Sequence, residues 1–424
     1  MLKILQTKGE AKMDGRKKLD LLAVSSVPLV MTLGNSMLIP VLPQIAKKLN
    51  ISSFQVSLII TVYSIVAIVL IPIAGYLSDR YGRKMIMVPC LIIAGLGGAV
   101  CGWASLTLDD PFLFIIIGRI LQGVGSAGAF PVVIPLVGDM FKDDDEVTAG
   151  LGMTETANTA GKVLSPIIGA TLASFIWYLP FWFIPFFSLI SVILVFFLVK
   201  VPKKKKENKQ TFKEFTNSVK LVFKNNGKWL FAVFMVGCII MFVLFGILFY
   251  LSDMLETRYE INGIQKGLVL AIPLLALSVS SFVAGKKIGE SKSVMKAVTV
   301  VGMGLVTISF IALRVQHSLY YLIAFLVITG IGIGMTLPSL DAIITEGIKK
   351  EQRGTITSIY SSMRFIGVAL GPPIYSYIMG KNEHLVYYFS GGISLLAVVI
   401  VLLFIRPKKD MRKESKSNRM PKLA

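Results

Sequence analysis

The sequence predicts an all-α membrane protein: twelve transmembrane helices in two pseudo-symmetric six-helix bundles, with the N- and C-termini cytoplasmic. Three observations predict it: a charge-poor composition, twelve apolar stretches of spanning length, and a repeat of Gly and Pro positions between the two halves. Of 424 residues, 54% are hydrophobic and only 16% charged, and the mean hydropathy is +0.73. A soluble domain carries about 25% charge, and a chain this apolar would expose patches that no soluble monomer tolerates. Crossing about 30 Å of hydrocarbon takes about 20 mostly apolar residues. Stretches of that kind run over 21–43, 54–77, 85–104, 111–138, 148–175 and 180–200, then 229–252, 264–285, 294–313, 319–343, 354–379 and 386–405. They are called spans 1 to 12 below.

The remaining segments are short. Residues 1–20 form a basic N-terminal segment, 21–200 the first six-helix bundle, 201–228 a basic linker opening on Lys203 to Lys206, 229–405 the second bundle and 406–424 a basic tail. No small-residue cleavage site follows span 1, which reads as an uncleaved anchor. With the N-terminus inside, and with Lys200, Lys266 and Lys296 at span ends counted in the adjoining segments, cytoplasmic segments hold 35 Lys and Arg, outer loops 6 and the span interiors 3. That asymmetry orients the chain with both ends inside and accounts for the net charge of +20. The basic balance is therefore topology, with some attraction to anionic lipid headgroups, and no nucleic-acid partner is expected. The three cysteines and two histidines form no metal or disulfide pattern, so a zinc site or disulfide framework is not expected.

The repeat is specific. Gly123, Gly125 and Pro131 of span 4 recur 207 residues later as Gly330, Gly332 and Pro338, and Gly161 and Pro166 of span 5 recur 206 later as Gly367 and Pro372. A duplicated unit of this kind places a substrate site between the halves near the bilayer midplane, with rocking of the halves giving alternating access.

Between spans 2 and 3 the chain reads Gly75-Tyr-Leu-Ser-Asp79-Arg80-Tyr-Gly82-Arg83-Lys84. Gly75 permits close helix packing and Gly82 a tight turn. This loop resembles the signature of the major facilitator superfamily. The resemblance implies a cytoplasmic latch favouring the outward-open state. Asp79 would face the start of span 11 near Gly354 and Thr355, and an Arg of the loop (Arg80 or Arg83) would pair with an acid ending span 4, here Asp139. Leu33-Gly34-Asn35 followed by Pro40 and Pro43 in span 1 is similar to a motif of the twelve-helix drug/proton antiporter branch. Arg119-Ile-Leu-Gln122-Gly123-Val-Gly125 in span 4 is similar to another motif of the same superfamily. An arginine buried in a span costs at least about 2.5 kcal/mol on insertion scales, so Arg119 must face a partner, cavity or water. The resemblance assigns it to proton coupling through a nearby acid. Span 5 departs from the exporter pattern: Gly161-Lys162-Val-Leu-Ser165-Pro166-Ile-Ile-Gly169-Ala170 has Ser and Ala in place of two glycines. Both are small enough for close packing against span 8. Span 11 keeps Gly371-Pro372.

Lys162 lies about 14 residues into span 5, too deep to reach the inner surface easily. Glu155 precedes it by about two turns, on a similar face, and Arg364 lies about 16 Å into span 11. Burial favours the neutral form of a carboxylic acid and a neighbouring cation its charged form. Glu155 is accordingly the first proton-carrier candidate and Asp341 the second. With Asn35 and Gln122, the two cations Lys162 and Arg364 are the candidate cavity residues, and they suit an anionic or zwitterionic solute. The competing reading places Glu155 and Lys162 in helix-packing ion pairs. Asp253 and Glu256 are expected to cap span 7 in water. Pro131, Pro273, Pro338 and Pro373 are candidate bends.

The resemblance implies a proton-coupled secondary exporter in the cell membrane, an antiporter acting by alternating access and not an enzyme. It needs no cofactor beyond the proton gradient, and no phosphate-binding loop for ATP is present. Expected partners are a small amphiphilic substrate, protons and the bilayer, with the chain a monomer. An anionic or zwitterionic metabolite, such as a metal-chelating compound or a lipid-like anion, stands first. Multidrug efflux of lipophilic cations is the alternative, and proton-coupled uptake is a third reading. A membrane-embedded enzyme would need a catalytic cluster at one membrane face, and a sensor would usually carry a soluble output domain. The sequence offers neither.

Overall fold

The computed structural model describes residues 15–141, 143–199, 212–289, 291–313, 318–348 and 350–405. The Lys203 to Lys206 run, most of the N-terminal segment and the tail 406–424 lie outside them. The described residues form helices and short connections. Span 1 is α1 (Gly15–Ser36), a single 3₁₀ turn (Ile39–Val41) and α2 (Leu42–Leu49). The interruption falls where Pro40 and Pro43 remove backbone donors. Next come α3 (Ser53–Tyr81) and α4 (Arg83–Thr107). A Ser52–Gln55 capping box starts α3, and Gly82 at φ +107° separates the two. Few residues other than glycine adopt that angle. Span 4 is α5 (Phe112–Ala129) and α6 (Val133–Met140), broken at Pro131 as expected. The first half closes with α7 (Asp144–Phe175) and α8 (Leu179–Leu198).

The second half opens with α9 (Phe212–Thr257), so helix begins inside the basic linker and runs unbroken into span 7. It continues with α10 (Gly263–Lys287), α11 (Lys292–Ala312), α12 (Leu319–Gly347), α13 (Lys350–Lys381) and α14 (Glu383–Phe404). Among the described residues ten helical stretches are long and apolar enough to cross a membrane. Helices α7 and α13, 32 residues each, have the length but a more polar composition. They are the ones that carry Glu155, Lys162 and Arg364. Helix α8 is apolar all round, yet Phe186, Leu189, Phe196 and Phe197 are exposed, which in a membrane is the lipid-facing side.

The repeat seen in the sequence reappears as equivalent packing. Gly123 lies on the backbone of Tyr63 in α3, and Gly330 lies on that of Pro273 in α10. Gly125 lies on α4 at Cys90 and Ala94, and Gly332 on α11 at Gly302. Gly161 meets Leu29 of α1, and Gly367 meets Cys238 of α9. Each pair contacts helices related by the same six-span step. Without a hydrophobic drive between helices in lipid, such backbone approach through small residues is what holds a bundle together.

The halves meet along two seams, α7 with α10 and α3 with α13. In the first, Gly267 lies against Pro166 and Ala170, so Ala170 is compatible with close packing and the glycine comes from the opposite helix. In the second, Thr61 Oγ1 donates to the Ala369 carbonyl at 2.8 Å. At the end remote from the Gly75–Lys84 loop, Ser252 Oγ donates to the Ile39 carbonyl at 3.0 Å. Glu256, expected to cap α9 in water, is instead nearly buried there between Lys47 at 3.0 Å and Lys266 at 2.9 Å. Packing of the two halves covers this helix end, and ion pairing replaces hydration.

Candidate functional site

The two seams leave a cavity between the halves, lined from α1, α3, α5 and α7 on one side and α9, α10 and α13 on the other. Its polar groups include Thr32, Asn35, Asn158, Lys162, Ser361 and Arg364, and its apolar wall includes Met31, Phe130, Met241, Phe245 and Phe365. Lys162 and Arg364 thus approach one space from opposite halves. Among the described residues neither has a carboxylate within 4.0 Å. Arg364 lies 5.6 Å from the ring centre of buried Tyr360.

Glu155 and Asp341 lie within electrostatic range of both cations and of each other. Their side chains are nevertheless exposed. Both sit toward the helix ends on the side of the Gly75–Lys84 loop, Glu155 in the first half of α7 and Asp341 in the last part of α12. The opposite face is closed by the Ser252, Lys47 and Glu256 contacts. Among the described residues neither Glu155 nor Lys162 takes part in an ion pair of the helix-packing kind weighed from the sequence. Asn158 Nδ2 instead donates to both Glu155 oxygens at 3.2 Å, and Thr32 Oγ1 donates to Asn158 Oδ1 at 2.6 Å.

Arg119 lies behind the cavity wall and is fully buried. Its guanidinium donates to the Ile59 carbonyl at 2.7 Å, the Gly34 carbonyl at 3.3 Å and Asn35 Oδ1 at 2.8 Å, and also to Gln122 Oε1. The Tyr63 ring covers it at 4.4 Å, and Tyr63 donates to Ser126 Oγ at 2.6 Å. Neutral acceptors and a π face therefore carry this charge, a geometry suited to a delocalised guanidinium. Among the described residues no carboxylate contacts Arg119. Gln122 belongs to this buried shell and does not line the cavity, whereas Asn35 does both.

In the 75–84 loop Arg83 pairs with Asp79 and, at 3.3 Å, with Asp139. It also donates to Ser78 Oγ at 2.8 Å. Arg80 donates to the Tyr76 hydroxyl at 3.0 Å. Gly75 approaches Ser358 of α13. Asp79 turns to Arg83 and is largely exposed. Of the packing residues, Gly161 lies against α1, Gly371 against α9, and Pro166 and Pro372 inside α7 and α13.

Asn158, Thr32, Tyr63 and Tyr360 were not singled out from the sequence. Asn158 carried a signal, since it sits three residues after Glu155 and four before Lys162, on their shared face. The others are contributed by different helices, and only the fold brings them in.

Residues 24–372 and 261–423 match the family described as Major Facilitator Superfamily. The chain is 60% identical to the bacillibactin exporter of Bacillus subtilis (strain 168), over 92% of this chain and 97% of that one. It is 22% identical to the class E tetracycline resistance protein of Escherichia coli, over 91% and 95%. Among solved structures, a D-xylose–proton symporter superposes with a TM-score of 0.77 at 14% identity, covering 92% of this chain and 98% of the other. That likeness concerns the fold alone.

Proposed function

This chain belongs to the major facilitator superfamily, and we propose that it is a proton-coupled exporter of an anionic or zwitterionic metabolite, with bacillibactin the first substrate to test. Relatives named as an exporter and as resistance proteins support efflux. The observation that carries the substrate class is the pair Lys162 and Arg364, facing one cavity from opposite halves with no carboxylate within 4.0 Å among the described residues. A half-buried cation in an apolar-walled cavity is disfavoured without a carboxylate partner, and an anionic substrate supplies that partner to both at once. Because the two cations ride on different halves, such a substrate bridges the parts that must move together. The methionine and phenylalanine wall accommodates its apolar body.

Glu155 and Asp341 are the proton-carrying candidates, since both are exposed and feel the same two cations. Substrate anion and carboxylates then compete for Lys162 and Arg364, and this competition links binding to protonation. Arg119, held by neutral acceptors, acts on this equilibrium through the Asn35 wall rather than by touching an acid. Asp79, Arg80, Arg83 and Asp139 form the inner-face latch. A membrane potential of about 100 mV supplies roughly 2.3 kcal/mol per charge moved, so one proton per cycle supports a substantial substrate gradient.

A second reading, efflux of lipophilic cations, draws on these two carboxylates and on the resistance relatives. Ligand-induced proton release from purified protein in detergent separates the two. Bacillibactin is expected to release protons in the wild type and not in Glu155→Gln or Lys162→Ala. Release by tetraphenylphosphonium alone, unaffected by Lys162→Ala, would overturn the anionic reading.

A further inference from the structure

A second polar cleft lies on the closed, outer face, directly above the central cavity and on the same helices. Its lining includes Gln44, Lys47, Ser174, Glu256, Asn262 and Lys266. The continuity is residue by residue. Ile39 lines the central cavity and Pro40 the outer cleft, Pro166 the one and Ala170 the other, Leu270 the one and Lys266 the other. Four residues of helix are about 6 Å, so a single turn separates the two spaces on both α7 and α10. The partition between them is the α7–α10 seam at Gly267 and the Ser252–Ile39 hydrogen bond, both contacts between halves. Parting the halves at this face joins the two spaces into one lane.

The lane carries cations. Lys266 is 2% exposed and Glu256 8%, an ammonium and a carboxylate nearly withdrawn from water. Lys47 reaches the same carboxylate from the first half. Two ammonium groups share one carboxylate, so the lining of the cleft is net positive. Asp253 lies within electrostatic range, but it lines a neighbouring cleft with Arg258 and Glu383. Glu256 and Lys266 both belong to the second half and travel together when the halves part. Lys47 stays with the first half and loses its carboxylate, in a lane that has just opened to the cavity below.

We propose that this outer cleft is a second anion-binding subsite on the export path. In the closed seam Glu256 fills the place that an anionic group of the departing substrate takes on Lys47 when the seam opens. The assignment rests on the anionic-export reading above and extends it to the exit side. A lipophilic cation would meet repulsion at the same point.

The test vacates the subsite without using the transported substrate. Ser174→Cys places a reporter thiol on the exposed rim of the cleft. Its modification by a membrane-impermeant methanethiosulfonate is read by peptide mass in nanodiscs, so the native cysteines do not interfere. Benzoate is the anionic probe and benzylammonium its cationic match. In Ser174→Cys with Glu256→Gln, benzoate is expected to slow labelling at least fivefold and benzylammonium less than twofold. Adding Lys47→Met should return the benzoate effect below twofold. Equal labelling with and without benzoate in the Glu256→Gln protein would overturn the proposal, as would protection that survives Lys47→Met. Should Glu256→Gln fail to assemble with Lys266 unpaired, Glu256→Asp shortens the reach to Lys47. There, slowing of at least twofold supports the subsite and no slowing overturns it. Failure of the anionic-export reading shows separately, as bacillibactin binding that ignores Lys162→Met.

Discussion

Replacing Lys162 by Met should move the affinities for anions and for lipophilic cations in opposite directions. Methionine keeps the length and apolar stem of lysine and removes only the charge. Among the described residues Lys162 has no ion pair to break, so the substitution leaves no stranded carboxylate in contact, and the fold should hold. A charge-assisted hydrogen bond contributes about 1.5–3 kcal/mol, or roughly 10- to 150-fold in Kd. An anionic substrate should therefore lose about one to two orders of magnitude in affinity. The change also leaves Arg364 alone against Glu155 and Asp341, which turns the local balance from neutral to negative. Tetraphenylphosphonium should consequently bind more tightly, by severalfold. Titration calorimetry in detergent measures both constants, with Lys162→Arg as the control that restores bacillibactin binding. Unchanged affinities for both probes, in protein of unchanged melting temperature, would refute the claim that Lys162 meets substrate.

Three further outcomes follow from the packing and the buried charge. Gly123→Ala and Gly330→Ala each place a methyl within 3.0 Å of a neighbouring helix backbone. Each should cost about 1–3 kcal/mol, seen as similar drops in thermal unfolding temperature if the halves are equivalent. Asn35→Leu removes the acceptor 2.8 Å from Arg119. It should destabilise by about 1–3 kcal/mol in the same assay, with Asn35→Asp destabilising less because it retains an acceptor. Asp139→Asn removes one partner of Arg83 and leaves Asp79. A partly exposed pair contributes at most about 1 kcal/mol, so stability should barely change while transport slows at least tenfold with unchanged substrate affinity.

Much of the architecture could be read in the chain because membrane spans are dictated by few variables. Hydrocarbon thickness sets their length, and the lack of water forces backbone hydrogen bonds inward. The Gly and Pro offsets were informative for the same reason, since only backbone approach between equivalent helices requires small residues at those places. Lys162 and Arg364 announced themselves as charges too deep to be tolerated idly. What pairs with what was not legible. Glu155 and Lys162 share a helix face, yet the carboxylate is taken by Asn158, because an amide three residues away is already in reach while Lys162 points into the cavity. Gln122 carries the same motif as Arg119 but turns its amide to that guanidinium instead of the solute space. The burial of Glu256 depends on Lys47 and Lys266, which lie far apart in the chain from each other and meet its carboxylate only where the two halves pack.

The central claim is most directly tested by transport in proteoliposomes of known orientation. An imposed pH gradient, acidic on the face opposite the Gly75–Lys84 loop, is expected to drive bacillibactin toward that acidic side. Movement should stop when the gradient is collapsed and in Lys162→Met. Bacillibactin that stays put while tetraphenylphosphonium moves down the same route would contradict the account.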